Sequence, residues 1–150
     1  VVYLESRPSS AEGISEISLS HLVRHALRLR PDRLIVGEVR GPEAFDMLQA
    51  MNTGHAGSMS TCHANSAHDA LYRLESMVLQ ATPNWPLPAV RSYIASAIDV
   101  VVFVERCPQG SRHVAQIVEI GDTLTTHGTY STSVLAHSLH PSNGDLALVM

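Results

Sequence analysis

Residues 29–66 have the sequence LRPDRLIVGEVRGPEAFDMLQAMNTGHAGSMSTCHANS, and this stretch decides the fold class. Its apolar triplet at 34–36 is unbroken, which is typical of a strand covered on both faces by helices. The proline that follows a Gly-Glu-Val-Arg-Gly segment suits the first position of a helix. In order, we predict a strand over 33–39, a helix from Pro42 to Gly54 and a second strand over 57–63.

Outward from this stretch, the same kinds of pattern predict more strands and helices. Apolar residues at helical spacing indicate a helix over 19–27, which Pro31 ends. Ser66 and Asp69 have the spacing of a helix N-terminal cap. The other predicted elements are a strand over 1–5, a helix from Ser66 to about Gln80, a helix over 89–98, and strands over 100–104 and 112–120 joined by a turn at 108–110. This alternation predicts an α/β layered domain, whereas residues 121–150 have no pattern that assigns an element.

The composition is that of a globular domain. The chain has 150 residues, of which 45% are hydrophobic and 16% charged, so it can bury a core. Its net charge of -4 gives no general attraction to nucleic acid or to anionic membranes. No apolar run is long enough to span a bilayer, and the opening residues show no signal-peptide pattern. Cys62 and Cys107 fit no zinc spacing, so we expect a reducing, cytoplasmic setting.

The absence of lysine excludes specific chemistry. All ten basic residues are arginine. A phosphate-binding P-loop, G-x-x-x-x-G-K-[ST], needs a lysine that reaches the β- and γ-phosphates. These 150 residues therefore contain no P-loop, and Schiff-base chemistry through lysine is excluded as well.

Glu38 is the first candidate for catalysis. It lies at the carboxyl end of a predicted apolar strand, where ligands bind in open α/β sheets, and Gly37 before it would let the backbone turn. A carboxylate there can orient and deprotonate a water that attacks a phosphate, or bind Mg²⁺ through water. The alternative is a simple ion pair between Glu38 and Arg40, and spacing alone does not decide between them.

His55 is the second candidate, because Gly54 and Gly57 predict a tight turn around it. An imidazole in such a turn can donate a hydrogen bond to a phosphate or act as an acid or base. The alternative is a loop histidine whose ring is satisfied by a backbone carbonyl, and composition alone favours that alternative.

Two further patterns have competing interpretations. Arg24 and Arg28 share one face of a helix and could reach a phosphate in a neighbouring subunit, or could form a solvated basic face. The four residues Glu38, His55, His63 and His68 could form a metal cluster, but their spacings fit no zinc template, and we predict no metal site of this kind.

Taken together, these motifs resemble those of the type II/type IV secretion ATPases. Residues 29–66 are similar to the family's atypical Walker B motif followed by its His box, and 1–8 resemble the stretch after its Asp box. Similarity extends over about residues 1–120, and the pattern is nearest to tight-adherence (Flp) pilus and conjugation motors. The resemblance implies a three-layer RecA-like P-loop NTPase core that is incomplete at its N-terminal side, with 121–150 an unassigned tail.

The resemblance also implies roles for individual residues. Glu38 matches the Walker B glutamate that activates the attacking water. The nucleotide-binding positions implied by the resemblance are Arg7, Arg24, Arg28, Arg40, His55, Ser58, Thr61 and His63. The implied cofactors are ATP and Mg²⁺. The implied partners are other subunits of a homo-hexamer and an inner-membrane platform protein, at the cytoplasmic face of the membrane, with no direct nucleic-acid contact.

The chain also departs from this family pattern. The family's Walker A motif lies upstream of the Asp box, and these residues lack it. Since a P-loop follows a central strand, we expect the neighbouring strands to have an uncovered edge. The main hypothesis is part of an ATPase motor, in which Glu38 and His55 converge on one nucleotide. The alternative is an inactive module that docks into a hexamer of complete subunits.

Overall fold

A computed structural model describes residues 1–9, 15–107, 110–138 and 143–149. The helices are α1 (Leu19–Arg28), α2 (Glu43–Asn52), α3 (Ala67–Ala81) and α4 (Leu87–Ala95), and the strands are β1 (Ile35–Val36), β2 (Met59–Cys62), β3 (Val100–Arg106), β4 (Arg112–Leu124), β5 (Tyr130–His137) and β6 (Asn143–Val149). The predicted alternation of strands and helices through β3 is confirmed, and the class is mixed α/β.

Local capping explains where two of the helices begin. Ser18 accepts a hydrogen bond from the His21 amide at the start of α1. Ser66 accepts one from the Asp69 amide at 3.0 Å, which confirms the predicted cap of α3. These bonds satisfy amides that the helix itself leaves without a partner.

The strands form one sheet in the order β1-β2-β6-β3-β4-β5. β1 and β2 are parallel, and β3 and β4 form the predicted antiparallel pair, although residues 108 and 109 of the predicted turn lie outside the described residues. β6 is antiparallel to both β2 and β3. β2 and β3 therefore run in the same direction with one strand between them.

The core lies between this sheet and the helices. The large, fully buried side chains of α2, α3 and α4 are Met47, Leu48, Leu71, Leu74, Val78, Val90 and Ile94. Along β2 and β3, buried side chains alternate with half-buried ones, so one face of the sheet is covered more fully than the other. The expectation that the triplet at 34–36 is covered on both faces is wrong, because Ile35 of β1, an edge strand, is 61% exposed.

Two other sequence-based expectations differ from the structure. Residues 1–5 form no strand; among the described residues, the only pairing near them is an isolated bridge between Arg7 and Ile17. Two strands, β5 and β6, lie within 121–150, where the sequence assigned nothing. After Tyr130 every residue of β5 is exposed, so this strand has no alternating apolar pattern to reveal it.

Truncation of Leu74 tests the packing of α3. Leu74 is fully buried, so Leu74→Ala is expected to lower the free energy of unfolding by about 2–5 kcal/mol. The exposed neighbour Arg73 is the control, and Arg73→Ala is expected to change it by no more than about 0.5 kcal/mol. Urea unfolding followed by circular dichroism measures both, and equal losses would contradict this packing.

Candidate functional site

Glu38 lies just beyond β1, beside the carboxyl end of β2. The pairing of these parallel strands continues past β1, since the Val39 amide donates to the Thr61 carbonyl at 2.9 Å. The Thr61 hydroxyl donates to the Gly37 carbonyl at 2.7 Å and closes the same end of the pair. Glu38 is thereby fixed at the edge of the sheet where ligands bind in α/β proteins.

Each carboxylate oxygen of Glu38 faces a different basic side chain. Arg40 donates from Nη2 to Oε2 at 2.5 Å, and His63 places Nε2 at 3.2 Å from Oε1. The Glu38 side chain is 21% exposed, and Oε1 is shielded from solvent. We call Glu38, Arg40, Thr61 and His63 the Glu38 cluster.

The surroundings of Glu38 favour its ionised form. The hydrogen bond from Arg40 lowers the pKa of Glu38, partial burial opposes this effect, and the charges of Arg40 and His63 lower the pKa further. A carboxylate with a lowered pKa is a weak proton acceptor. Glu38 in this arrangement is better suited to orienting a water molecule than to deprotonating it, unless Arg40 moves away.

Glu43 holds the segment that contains Arg40. Its Oε1 atom accepts hydrogen bonds from the backbone amides of Arg40, at 2.7 Å, and Gly41, at 3.0 Å. Glu43 is in the first turn of α2, where a carboxylate is also favoured by the helix dipole. This role was not predicted from the sequence; the pattern that indicates it is an acidic residue directly after Gly-Pro.

Gly37 and Cys62 border the cluster but have structural roles. Gly37 was expected to let the backbone turn, but the structure does not require glycine there, since its φ is outside the left-handed region and a Cβ would touch nothing within 4 Å. Cys62 is fully buried, and this burial raises the pKa of its thiol to about 11. A thiol that stays protonated near neutral pH is not a nucleophile.

The predicted turn around His55 is confirmed by its two glycines. Gly54 and Gly57 have φ values of 96° and 76°, which glycine adopts without the strain of a side chain. Within the turn, Nδ1 of His55 lies 3.2 Å from the Ala50 carbonyl oxygen. Nδ1 of the ring thus has a backbone carbonyl as its partner, as the alternative interpretation of this histidine proposed.

His55 lies at the opposite end of the β1–β2 pair from Glu38. The Ser58 hydroxyl donates to the His55 carbonyl at 2.7 Å and accepts from the Leu34 amide at 2.9 Å, so His55 and Ser58 are next to Leu34. Leu34 precedes Glu38 by four residues, or roughly 13 Å of extended chain. The expected convergence of Glu38 and His55 is therefore not observed within this chain, and His63 is the histidine that meets Glu38.

The remaining arginines make contacts elsewhere. Arg24 forms an ion pair with Asp46 of α2, with Nε and Oδ1 2.8 Å apart, and the Asp46 side chain is only 4% exposed. Arg28 is exposed on the last turn of α1. Arg7 pairs with Ile17 through its backbone and donates to the Ser15 carbonyl at 3.4 Å. None of these contacts brings the side chain of Arg7, Arg24 or Arg28 to the Glu38 cluster.

The metal-cluster alternative receives no support from the geometry. Across residues 1–9, 15–107, 110–138 and 143–149, no group of three or more histidine, cysteine, aspartate or glutamate side chains could hold a metal ion.

In the same part of the chain, no helix is both long and apolar enough to cross a membrane.

The family model of the type II/IV secretion system proteins matches residues 5–138. The chain belongs to this family. The matched region contains the Glu38 cluster and extends past residue 120, the limit of the resemblance drawn from the sequence.

Relatives of this chain include proteins of conjugation and type IV secretion. A putative conjugal transfer protein of Mycobacterium tuberculosis is 44% identical over 117 residues, which are 78% of this chain and 33% of that protein. The type IV secretion system protein PtlH of Bordetella pertussis is 47% identical over 108 residues, 69% of this chain and 31% of the relative.

A solved structure agrees with these relatives. It is the VirB11 ATPase of the Brucella suis type IV secretion system in complex with sulphate, with a TM-score of 0.63 and 34% identity over 67% of this chain and 31% of that one. The chain thus spans about a third of the length of the relatives it matches.

Removal of the Arg40 charge tests the electrostatics of Glu38. Arg40→Gln is expected to raise the pKa of Glu38 toward its ordinary value, because the largest cause of the lowering is lost. The pKa of Glu38 is lower in the folded protein than in the unfolded chain. The ion pair therefore stabilises the fold fully at pH values above the pKa of the unfolded chain, and this stabilisation is lost as the pH falls through the pKa of the folded protein. Carboxyl ¹³C NMR titration measures the shift, and Arg28→Gln at an exposed position is the control. An unchanged Glu38 pKa in Arg40→Gln would contradict the ion pair.

Substitution of Glu43 tests its positioning role. Glu43→Ala removes the acceptor for the Arg40 and Gly41 amides, so Arg40 is less well held and the pKa of Glu38 is expected to rise. Glu43→Gln keeps an acceptor oxygen and is expected to retain most of the lowering. The same NMR titration separates the variants. Identical Glu38 titration in wild type and Glu43→Ala would show that Glu43 does not position Arg40.

Proposed function

We propose that this chain is part of an ATP-hydrolysing motor that drives type IV secretion, conjugation or the assembly of a Flp-type pilus. The observation that carries the proposal is the Glu38 cluster, an ionised carboxylate at the carboxyl end of a parallel strand pair with Arg40 and His63 on its two oxygens. Family membership and likeness to a VirB11 ATPase support it. In this proposal, residues 1–120 are the C-terminal part of a three-layer RecA-like domain.

The residues of the cluster have distinct roles in this mechanism. Glu38 orients the attacking water, and it becomes a base once Arg40 releases Oε2 and its pKa rises. Arg40, freed from Glu38, can neutralise charge on the transferred phosphate, and His63 can donate a hydrogen bond to it. Mg²⁺, which ATP brings with it, would add charge neutralisation, and Glu38 and Thr61 have the oxygen atoms to bind it through water.

We propose that the other predicted nucleotide-binding residues belong to a site shared between subunits. Arg28 is exposed and free to reach a neighbouring subunit, whereas Arg24 would first have to leave Asp46. The same role between subunits is proposed for Arg7, His55 and Ser58, whose described contacts are local. This interpretation implies a homo-hexamer with nucleotide between its subunits.

The proposed surroundings are those that the family resemblance implies. A motor of this kind acts in the cytoplasm, on the inner face of the cytoplasmic membrane, against an inner-membrane platform protein. Direct contact with nucleic acid is not part of the proposal, since the net charge of -4 offers no general attraction to it.

A second candidate is an inactive module that docks into a hexamer of complete subunits. The absence of lysine from these 150 residues is compatible with it, because these residues by themselves provide no P-loop to bind the β- and γ-phosphates. Pull-down with the complete Mycobacterium tuberculosis relative tests this candidate, and a failure to associate would count against it.

A chimera tests the motor hypothesis. The matched 117 residues of the Mycobacterium tuberculosis relative are replaced by the corresponding residues of this chain, and phosphate release from ATP is measured. The chimera is expected to hydrolyse ATP, and Glu38→Gln is expected to reduce kcat by about 10²–10⁴-fold, the usual contribution of a general base. Asp99→Asn, at an exposed position just before β3, is the matched control.

The isolated chain gives the complementary result. It is expected to show no measurable ATP turnover, because it has no P-loop. Turnover by the isolated chain that is lost in Glu38→Gln would contradict the requirement for a P-loop, and an active Glu38→Gln chimera would contradict the role of Glu38.

A further inference from the structure

A buried carboxyl group outside the Glu38 cluster lies near the end of β3. Along this strand half-buried and buried side chains alternate, and Glu105 has a buried position on the same face as Val101 and Phe103. Glu105 is only 6% exposed, and its Oε2 atom is shielded from solvent without a hydrogen-bond partner among the described residues. An ionised carboxylate in such a place has lost water that solvated it in the unfolded chain, which is costly unless another group compensates for the loss.

Glu105 has no positively charged partner in the described part of the chain, where the ion pairs all involve other carboxylates. Arg106 is next to it in the sequence but is exposed on the other face of β3, and its Nε donates to the Gly110 carbonyl at 3.4 Å. His113 is opposite Glu105 in the β3–β4 register, and its Nδ1 lies 3.2 Å from the Cys107 sulfur. The charge of an ionised Glu105 would therefore be uncompensated by these neighbours.

Glu105 also lines an open cavity of about 250 Å³, which is larger than a single water molecule needs. The cavity lies between the N-terminus of α3 and the strands β3, β4 and β5. Its other lining residues include apolar, amide, hydroxyl and imidazole side chains, namely Phe103, Asn65, Gln116, Ser66, Ser138 and His137. We call the cavity with Glu105 and these residues the Glu105 pocket.

The amide groups of the pocket can supplement the carboxylate. Asn65 donates from Nδ2 to Asp69 at 3.0 Å, so its carbonyl oxygen is the group that can accept a hydrogen bond from a ligand. Gln116 has a second amide oxygen at the cavity. An acceptor-rich pocket with one carboxylate favours a ligand that carries several N–H donors and a positive charge, and it disfavours an anion.

We infer that the Glu105 pocket binds an alkyl guanidinium or alkyl ammonium group. The cation neutralises Glu105 and donates hydrogen bonds to its carboxylate, and the alkyl stem packs against Phe103. Guanidinium is the better fit of the two cations, because its planar N–H groups can donate in pairs to one carboxylate. This recognition is separate from ATP hydrolysis and uses no residue of the Glu38 cluster.

Propylguanidinium and propylurea test whether the pocket requires a positive charge. The two molecules have nearly the same shape, but only the first is charged. NMR spectra follow the side-chain amides of Asn65 and Gln116 and the carboxyl carbon of Glu105 in the 150-residue chain at neutral pH. Saturable shifts are expected with propylguanidinium, and propylurea is expected to bind at least about tenfold more weakly, since it lacks a charge-assisted hydrogen bond.

Three results of this titration would overturn the inference. They are the absence of saturable shifts with propylguanidinium, equal binding of propylurea, and a Glu105 carboxyl carbon with the chemical shift of a protonated acid before any ligand is added.

Glu105→Gln keeps the size of the side chain and removes its charge, so this variant is expected to lose the preference for propylguanidinium over propylurea. The matched control is Glu119→Gln, at an exposed position on β4, which is expected to keep it. Thermal unfolding gives a second measurement, because a ligand that binds only the folded protein raises the unfolding midpoint. Relative to equal propylurea, propylguanidinium is expected to raise the midpoint of wild type and Glu119→Gln but not of Glu105→Gln. An unchanged preference in Glu105→Gln would contradict the role of its carboxylate.

Gel filtration over a range of protein concentrations distinguishes two sources of the cation. All ten residues of the lysine and arginine class are arginine, so a second copy of this chain would supply a guanidinium group. Self-association that propylguanidinium reverses, and that Glu105→Gln lacks, would assign the natural cation to a second copy. A chain that stays monomeric and binds propylguanidinium would assign it to a different molecule, and the pocket is a cation site in both cases.

Discussion

The parallel pairing of β1 with β2 is the contact on which the candidate site depends. β1 has only two residues, and the pairing is extended by bonds from Val39 to Thr61 and from Thr61 to Gly37. These bonds bring Glu38 and His63, which are 25 positions apart in the sequence (63 − 38), to within 3.2 Å. Loss of this pairing would separate the Glu38 carboxylate from His63 even if the rest of the sheet kept its structure.

Oppositely charged side chains hold the Glu38 cluster in place. Arg40 keeps the carboxylate ionised and directs it, and Glu43 in turn holds the backbone of Arg40 from the first turn of α2. Because Glu38 and Glu43 each accept a hydrogen bond, both carboxylates and the Arg40 segment are held in place by contacts within the protein. The cost of this arrangement is a weaker base, so a change at Arg40 would be part of any step in which Glu38 takes a proton.

The sheet has two parts of different character. From β1 to β3, strands of one direction alternate with helices, as in nucleotide-binding α/β domains. β4, β5 and β6 are joined to this part by antiparallel pairing. The Glu38 cluster lies at the end of the β1–β2 pair and so belongs to the first part.

The sequence by itself determined the elements whose causes are local. Ser66 caps α3 because a serine hydroxyl reaches an amide three residues later, and the two glycines around His55 impose a turn through their own backbone freedom. Tertiary structure alone decided that His63 and not His55 meets Glu38, that residues 1–5 pair with no strand, and that β6 lies between β2 and β3. Each of these depends on which distant strands lie side by side and in which direction they run. Backbone hydrogen bonds between strands use groups that every residue except proline has, so the sequence of a strand does not identify its partner.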